Sequence, residues 1–197
     1  MQTTTDITVQ IERETESNWL KKYATKFVGV KGTEYQKTVP LKSMFCSGLL
    51  SYIGILTISS IHHHSEIQAV IGSFGATAVL LYDATSSPLA QPRNLIGGHL
   101  LSAFVGVTVF KIFGNFLQWI SYPLAVSLAI VVMDFTNTLH PPGGATSLIA
   151  VIGPKSIHDL GYLYILYPVF LSSIIMLLIS VVGNNLIYSR QYPLRWY

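Results

Sequence analysis

Charge is what this sequence has least of. Asp, Glu, Lys and Arg make up 11% of its 197 residues, against about 25% in an ordinary soluble domain. The deficit is uneven: residues 1–42 hold seven Lys/Arg and five Asp/Glu, which leaves nine charges for the following 155 residues. A soluble fold of that size needs far more charge to cover its surface. A cytosolic enzyme, a nucleic-acid binder and a disordered chain are thereby excluded. The net charge of +3 arises mostly in the N-terminal segment and speaks of a membrane surface. Cysteine is scarcer still. Cys46 stands alone, so no intrachain disulfide can form and no zinc-ligand spacing exists. Neither a metal nor a cofactor is expected. Nor is a secretory leader, because residues 1–18 are polar and acidic where such a leader needs a continuous apolar core.

What the chain does have is long apolar runs, and it reads as an all-α integral membrane protein embedded in a lipid bilayer. Segments about 43–60, 95–113, 120–139 and 162–188 each approach or exceed the roughly 20 apolar residues that a helix needs to cross. Two further apolar segments are short. Ile67–Tyr82 has 16 residues, and Gly143–Gly153 has 11 before Pro154. At 1.5 Å per residue, 11 residues reach about 16 Å, half of the hydrocarbon core. A short or broken helix is expected in both places. Ahead of the first segment, Trp19, Leu20, Tyr23 and Phe27 recur near helical spacing opposite Lys21, Lys22 and Lys26, which suits an amphipathic helix on an anionic leaflet. The expected division is a cytoplasmic arm (1–40), a membrane domain (41–190, halves about 41–119 and 120–190) and a cytoplasmic tail (191–197).

The two short segments resemble each other. Ser73-Phe74-Gly75-Ala76-Thr77 aligns with Pro142-Gly143-Gly144-Ala145-Thr146, sharing Gly-Ala-Thr at an offset of 69 residues. Each copy lies between two long segments, so the chain reads as two repeats of long, short, long, six membrane segments in all. Nine of twelve Lys/Arg lie at the two ends, which puts both termini in the cytoplasm of a multi-pass protein of the cell's inner (plasma) membrane. If all six segments cross, Arg93 is inside, and Lys111 and Lys155 are outside. If the short segments are re-entrant, Lys111 is inside, and Arg93 and Lys155 are outside. Both arrangements give ten positive residues inside and two outside. The first makes the halves inverted repeats, as in many transporters whose broken helices meet near the midplane, and is preferred.

The stretch Asn137-Thr138-Leu139-His140-Pro141-Pro142-Gly143-Gly144-Ala145-Thr146 concentrates the chemistry. Residues before proline leave the α region, so the preceding helix is expected to end near His140. Pro142 suits the first turn of a new helix. Gly143 and Gly144 then leave backbone N–H groups open to a ligand at the positive end of the helix dipole. A capping side chain, water or a bound anion would satisfy them.

The run Leu139–Thr146, together with Ser87-Pro88-Leu89-Ala90-Gln91-Pro92-Arg93-Asn94, Ile96-Gly97-Gly98-His99 and Gly72-Ser73-Phe74-Gly75-Ala76, resembles the signature of the HPP family of integral membrane proteins. The resemblance covers about 40–188. Members of that family in cyanobacteria and plastids are associated with nitrite transport, and nitrite is the substrate that the resemblance implies.

Ionisable residues within the membrane are costly and mark function. The expected substrate-binding set is therefore Ser73, Phe74, Gly75, Ala76 and Thr77 from the first short segment, and His140, Pro141, Pro142, Gly143, Gly144, Ala145 and Thr146 from the second. Arg93, whose planar fork suits nitrite, and His99 complete it. Asp134, Asn137 and Thr138 are expected on one helical face, with Asp134 as a partner of Arg93 or His99 or as a protonated relay. His62-His63-His64 are expected in a wet loop with Glu66. About 150 embedded residues are few for enclosing a pathway, so a homo-oligomer, a dimer, is expected. Two other functions compete. An intramembrane hydrolase would pair Ser73 or Ser147 with His99 or His140, but no G-x-S-x-G or H-E-x-x-H motif is present. A membrane scaffold or sensor would use only the basic arm.

Overall fold

In the computed structural model the described residues are Lys21, Tyr23, 39–63, 65, 67–114 and 116–197. The amphipathic helix expected around Trp19–Phe27 lies outside them apart from Lys21 and Tyr23, and so do His64 and Glu66. The helices from residue 40 onward are α1 (Leu41–His62), α2 (Ile71–Tyr82), α3 (Pro92–Phe113), α4 (Gln118–Phe135), α5 (Pro141–Ile152), α6 (Lys155–Leu160) and α7 (Leu171–Asn185). Short 3-10 turns, Gln68–Val70 and Pro88–Ala90, lead into α2 and α3.

Four stretches are long and apolar enough to cross a membrane: α1, α3, α4 and Ile165–Asn185. The 22 residues of α3 span about 33 Å, slightly more than a hydrocarbon core of about 30 Å. The two short apolar stretches are Gln68–Tyr82 and Pro141–Ile152. Large apolar side chains such as Phe45, Tyr52, Val131, Phe135, Leu163 and Leu178 lie exposed on the outside, which only an apolar surrounding tolerates on this scale.

α3 is the central element. Half of its span is buried, against 17% for α1. Glycines let its neighbours come close. A Cβ on Gly97 would meet the Thr138 side chain, one on Gly98 the Thr138 carbonyl at 2.9 Å, and one on Gly106 the Ala150 Cβ at 2.8 Å. Small residues allow van der Waals packing of backbones where no hydrophobic drive separates helix from lipid.

Two boundaries differ from the sequence expectation. α4 ends at Phe135 rather than near His140. Asn137 takes φ +54°, Thr138 N–H bonds to Met133 O at 2.8 Å and Asn137 N–H to Asp134 O at 3.1 Å. This is a Schellman ending with asparagine in the left-handed position. The last long segment breaks at Tyr167, whose φ of −136° and ψ of 121° are extended. Pro168 follows it and disfavours the α region for the residue before.

Hydrogen bonds gather the helix ends at two poles. At one pole Arg190 joins Ser43 and Ser47 of α1 to the Tyr82 carbonyl of α2 and to Asn184 of α7. Arg93 at the start of α3 donates to Thr136 O after α4, and Asn94 donates to Leu139 O before α5. At the other pole His62, at the end of α1, bonds to Ser172 of α7, and Phe110 of α3 stacks on His158 of α6 at 3.7 Å. α1 to α5 therefore alternate in direction between the poles, α6 lies at the second pole, and α7 returns to the first. Arg93 and the tail share a pole, because Gln91 Oε1 accepts the N–H groups of Leu194 and Arg195.

Candidate functional site

The short helices meet on one histidine. Thr77 of α2 lies 2.9 Å from His99 Nε2, and Thr146 of α5 lies 2.8 Å from His99 Nδ1. These are the two threonines of the Gly-Ala-Thr copies. Thr77 also reaches His140 Nε2 at 3.2 Å, while His140 Nδ1 lies 2.8 Å from Leu89 O. All four side chains are fully buried. Phe74 stacks on His99 with ring centres 4.5 Å apart, and the two imidazoles meet edge to face at 4.8 Å. Tyr164 donates to the Thr146 carbonyl at 3.1 Å.

One carbonyl fixes the direction of this chain. Leu89 O can only accept, so neutral His140 carries its proton on Nδ1 and Nε2 must accept. Thr77 then donates to His140 and accepts from His99 Nε2–H. His99 Nδ1 is left to accept from Thr146. Each bond hands on the same polarity, and among the described residues every buried side-chain N or O atom is paired, as a dry interior requires.

The sequence-predicted residues fall into three groups. Thr77, His99, His140, Thr146 and Phe74 come together in this cluster. Ser73, Pro142 and Gly143 are buried beside it on the same helices. Gly75 and Ala76 face outward, while Pro141 and Ala145, with Gly144, line an apolar groove of about 510 Å³ with Val126 and Leu148. Gly143 does not hold its N–H open. That group donates to His140 O at 2.8 Å, and a Cβ there would meet Ser102 Oγ at 2.7 Å. Its missing side chain serves the α3–α5 approach.

Several expectations are corrected. Asp134 partners neither Arg93 nor His99: it is exposed, Arg93 donates to Thr136 O and both His99 nitrogens face threonines. Asp134, Asn137 and Thr138 do not share a helical face, because α4 has ended and the chain turns at Asn137. Thr138 is buried with its hydroxyl 2.8 Å from that of Thr136. His62 is buried rather than wet, with Nε2 3.0 Å from Ser172 Oγ and Nδ1 3.3 Å from Tyr167 OH. Ser73 and Ser147 donate to the carbonyls of Val70 and Gly144, so neither is paired with a histidine as a nucleophile would be. Among the described residues no group of three His, Cys, Asp or Glu is placed to hold a metal ion.

Two pockets lie at opposite ends of α3. The first, about 250 Å³, is lined by Arg93, Arg195, Asn94, Asn137, Gln91 and Ser86 among others, and no carboxylate side chain lines it. Pro88 is also in its wall and directly precedes Leu89, the residue that holds His140. The second, about 40 Å³, is lined by Lys111, His158, Gly161, Phe110 and three apolar residues. The sequence reading missed Arg195 and Tyr164 as site residues. A tail arginine and an apolar-segment tyrosine carry no local signal of what they fold against.

The match to known proteins follows this geometry. Residues 36–193 match the family described as HPP, transmembrane region. The chain belongs to the HPP family. Two relatives from Dictyostelium discoideum are named as transmembrane proteins. One is 41% identical over 186 residues, 91% of this chain and 65% of that protein. The other is 43% identical over 163 residues, 80% of this chain and 52% of that protein. The chain thus spans between half and two thirds of the length of these relatives. No solved structure matches it.

Proposed function

We propose that this HPP protein transports a small monovalent anion, nitrite first among them, across its membrane without chemically converting it. One observation carries the reading: a fully buried line of threonine hydroxyls and imidazoles lies between two basic pockets at opposite ends of α3. Guanidinium and ammonium groups at the mouths raise the local anion concentration. Hydroxyl and imidazole N–H groups inside replace part of the hydration shell without a fixed buried cation, whose tight pairing would slow release. The starts of α2 and α5 add the positive ends of two helix dipoles, each worth up to about 2 kcal/mol when partly buried. Nitrite rests on the family resemblance and on its fit to the planar fork of Arg93.

In this reading six segments cross as two inverted long-short-long repeats, both termini face the cytoplasm at the plasma membrane, and two copies form a homodimer. The test is flux. Purified protein in liposomes should move nitrite faster than empty vesicles do, with the anion recovered unchanged, and should rank nitrite above nitrate, formate, bicarbonate and chloride. Equal flux with and without protein for all five anions overturns the proposal. A different ranking overturns only nitrite.

A further inference from the structure

We propose that the threonine–histidine cluster carries one proton with each anion, so that transport is proton–anion symport. The proposal rests on the transport reading above and goes on to name its coupling ion. The geometry that points to it is a second acceptor behind each threonine. Thr77 Oγ1 lies 3.2 Å from His140 Nε2 and 3.3 Å from Ser73 O. Thr146 Oγ1 lies 2.8 Å from His99 Nδ1 and 3.3 Å from Pro142 O. Each hydroxyl therefore has one proton and two places to put it, a ring nitrogen or the carbonyl one helical turn back.

Three protonation states then keep every buried group bonded. With both rings neutral, the chain runs from Thr146 through His99 and Thr77 to His140, as described. With an extra proton on His140, its Nε2–H donates to Thr77, and Thr77 turns its own O–H to Ser73 O. With the extra proton on His99, its Nδ1–H donates to Thr146, and Thr146 turns to Pro142 O. No state leaves an unpaired donor or acceptor, the defect that would otherwise cost about 1–3 kcal/mol. Transfer between the rings balances. The His99 Nε2–H proton passes to Thr77 Oγ1 while the Thr77 proton passes to His140 Nε2, so one N–H and one O–H bond break and one of each forms; His99 is left as its Nδ1–H tautomer, still donating to Thr146, and Thr77 now donates to His99 Nε2, so every group stays bonded. Water on the two sides supplies and removes the proton.

The coupling to an anion follows from charge. Facing the two rings are Phe74 and Thr77 from α2, Thr146 from α5 and the Leu89 carbonyl, none of them charged. The titratable side chains on the packed elements are Tyr82 on α2, Arg93 and Lys111 on α3, Tyr122 and Asp134 on α4, and Tyr164 and Tyr167 before α7. Of these, Tyr164 alone bonds to a cluster residue, through the Thr146 carbonyl. Arg93, Lys111 and Asp134 are exposed at the poles. An imidazolium here has no resident counter-ion, and an anion here has no resident cation. Either charge alone is expensive in a membrane. Together they are neutral.

Proteoliposomes holding the full chain and an internal pH dye, with the potential clamped by potassium and valinomycin, test this with nitrite as the probe. An imposed pH gradient should drive nitrite uptake above that of empty vesicles. About one proton should enter per nitrite, and changing the potential should leave the rate unchanged. Thr77→Val should lower pH-driven uptake at least about tenfold, while Thr77→Ser, which keeps the hydroxyl, should restore it. Nitrite flux that follows potential and ignores the pH gradient overturns symport and leaves transport standing. Wild-type rates in a folded Thr77→Val protein also overturn symport. Should Thr77→Val fail to fold, the wild-type comparison of gradient against potential decides alone. No protein-dependent flux of nitrite overturns both symport and nitrite transport.

Discussion

Arg190 shows how much a single side chain can do without advertising it. Its guanidinium donates to the Tyr82 carbonyl, Asn184, Ser43 and Ser47, so it fastens α2, α7 and the start of α1 at one point. In the sequence it is one of two arginines after the last apolar run and reads as an ordinary positive anchor. Its partners are carbonyls and serines, which have no pattern of their own. We expect Arg190→Ala to lower stability by about 3 kcal/mol, and Arg190→Lys to recover only part, since an ammonium offers three donors against five. Thermal unfolding in detergent measures both. Asp134 is the opposite case. It looked functional because a carboxylate inside an apolar run is costly, yet it sits exposed at a helix end with no side-chain bond among the described residues. Asp134→Asn should change stability by less than about 0.5 kcal/mol and leave nitrite flux unaltered. An altered flux would return Asp134 to the pathway. His99, His140 and both threonines are expected together from the sequence motifs, and the structure brings their side chains into hydrogen-bonding distance.

At the scale of elements, length was readable and endings were not. The short helices were expected from run lengths alone, since apolar stretches of 16 and 11 residues fall short of the roughly 20 that a full-length transmembrane helix uses. The end of α4 was misplaced by about five residues because the prolines after His140 drew attention from Asn137, the residue that turns the chain. Asparagine tolerates the left-handed region, and a β-branched residue does not. Asn137→Gly should therefore be near neutral, while Asn137→Val should cost about 1–2 kcal/mol in detergent unfolding. Equal stability of the two variants would show that the turn is not held by backbone preference. The break at Tyr167 was similarly written in the Pro168 that follows it, and was overlooked because the hydropathy of the run continues unbroken. α3 depends on its glycines in a different way. Gly106 has ordinary helical geometry, and what it lacks is room, with Ser147 and Ala150 of α5 directly behind it. Gly106→Ala should destabilise by about 1–3 kcal/mol through overpacking, and a larger residue should do so by more.

For the whole molecule, the count of charges could not decide between crossing and re-entrant short helices, because both arrangements place ten positive residues on one side and two on the other. Contacts add what counting lacks. Arg93 shares a pocket with Arg195, so the loop before α3 and the tail lie on one side. Lys111 lies with Gly161 and Tyr162 at the other pole, 5.5 Å from the Tyr162 ring centre, and Lys155 begins α6 beside them. The pole with Arg93, Arg190, Arg195 and Lys42 has the larger share of cations and should be cytoplasmic by the positive-inside rule. The membrane potential, negative inside, favours that orientation as well. We therefore expect single cysteines at Ser86 and Leu194, in a Cys46→Ser background, to resist an impermeant thiol reagent in intact cells and to react after permeabilisation. Cysteines at Phe116 and Ser156 should react before it. Opposite labelling of Ser86 and Leu194 would mean that α2 does not carry the chain from one pole to the other. The inverted pairing of the short helices around His99 would then fall with it, since that pairing needs α2 and α5 to run in opposite directions through the same layer.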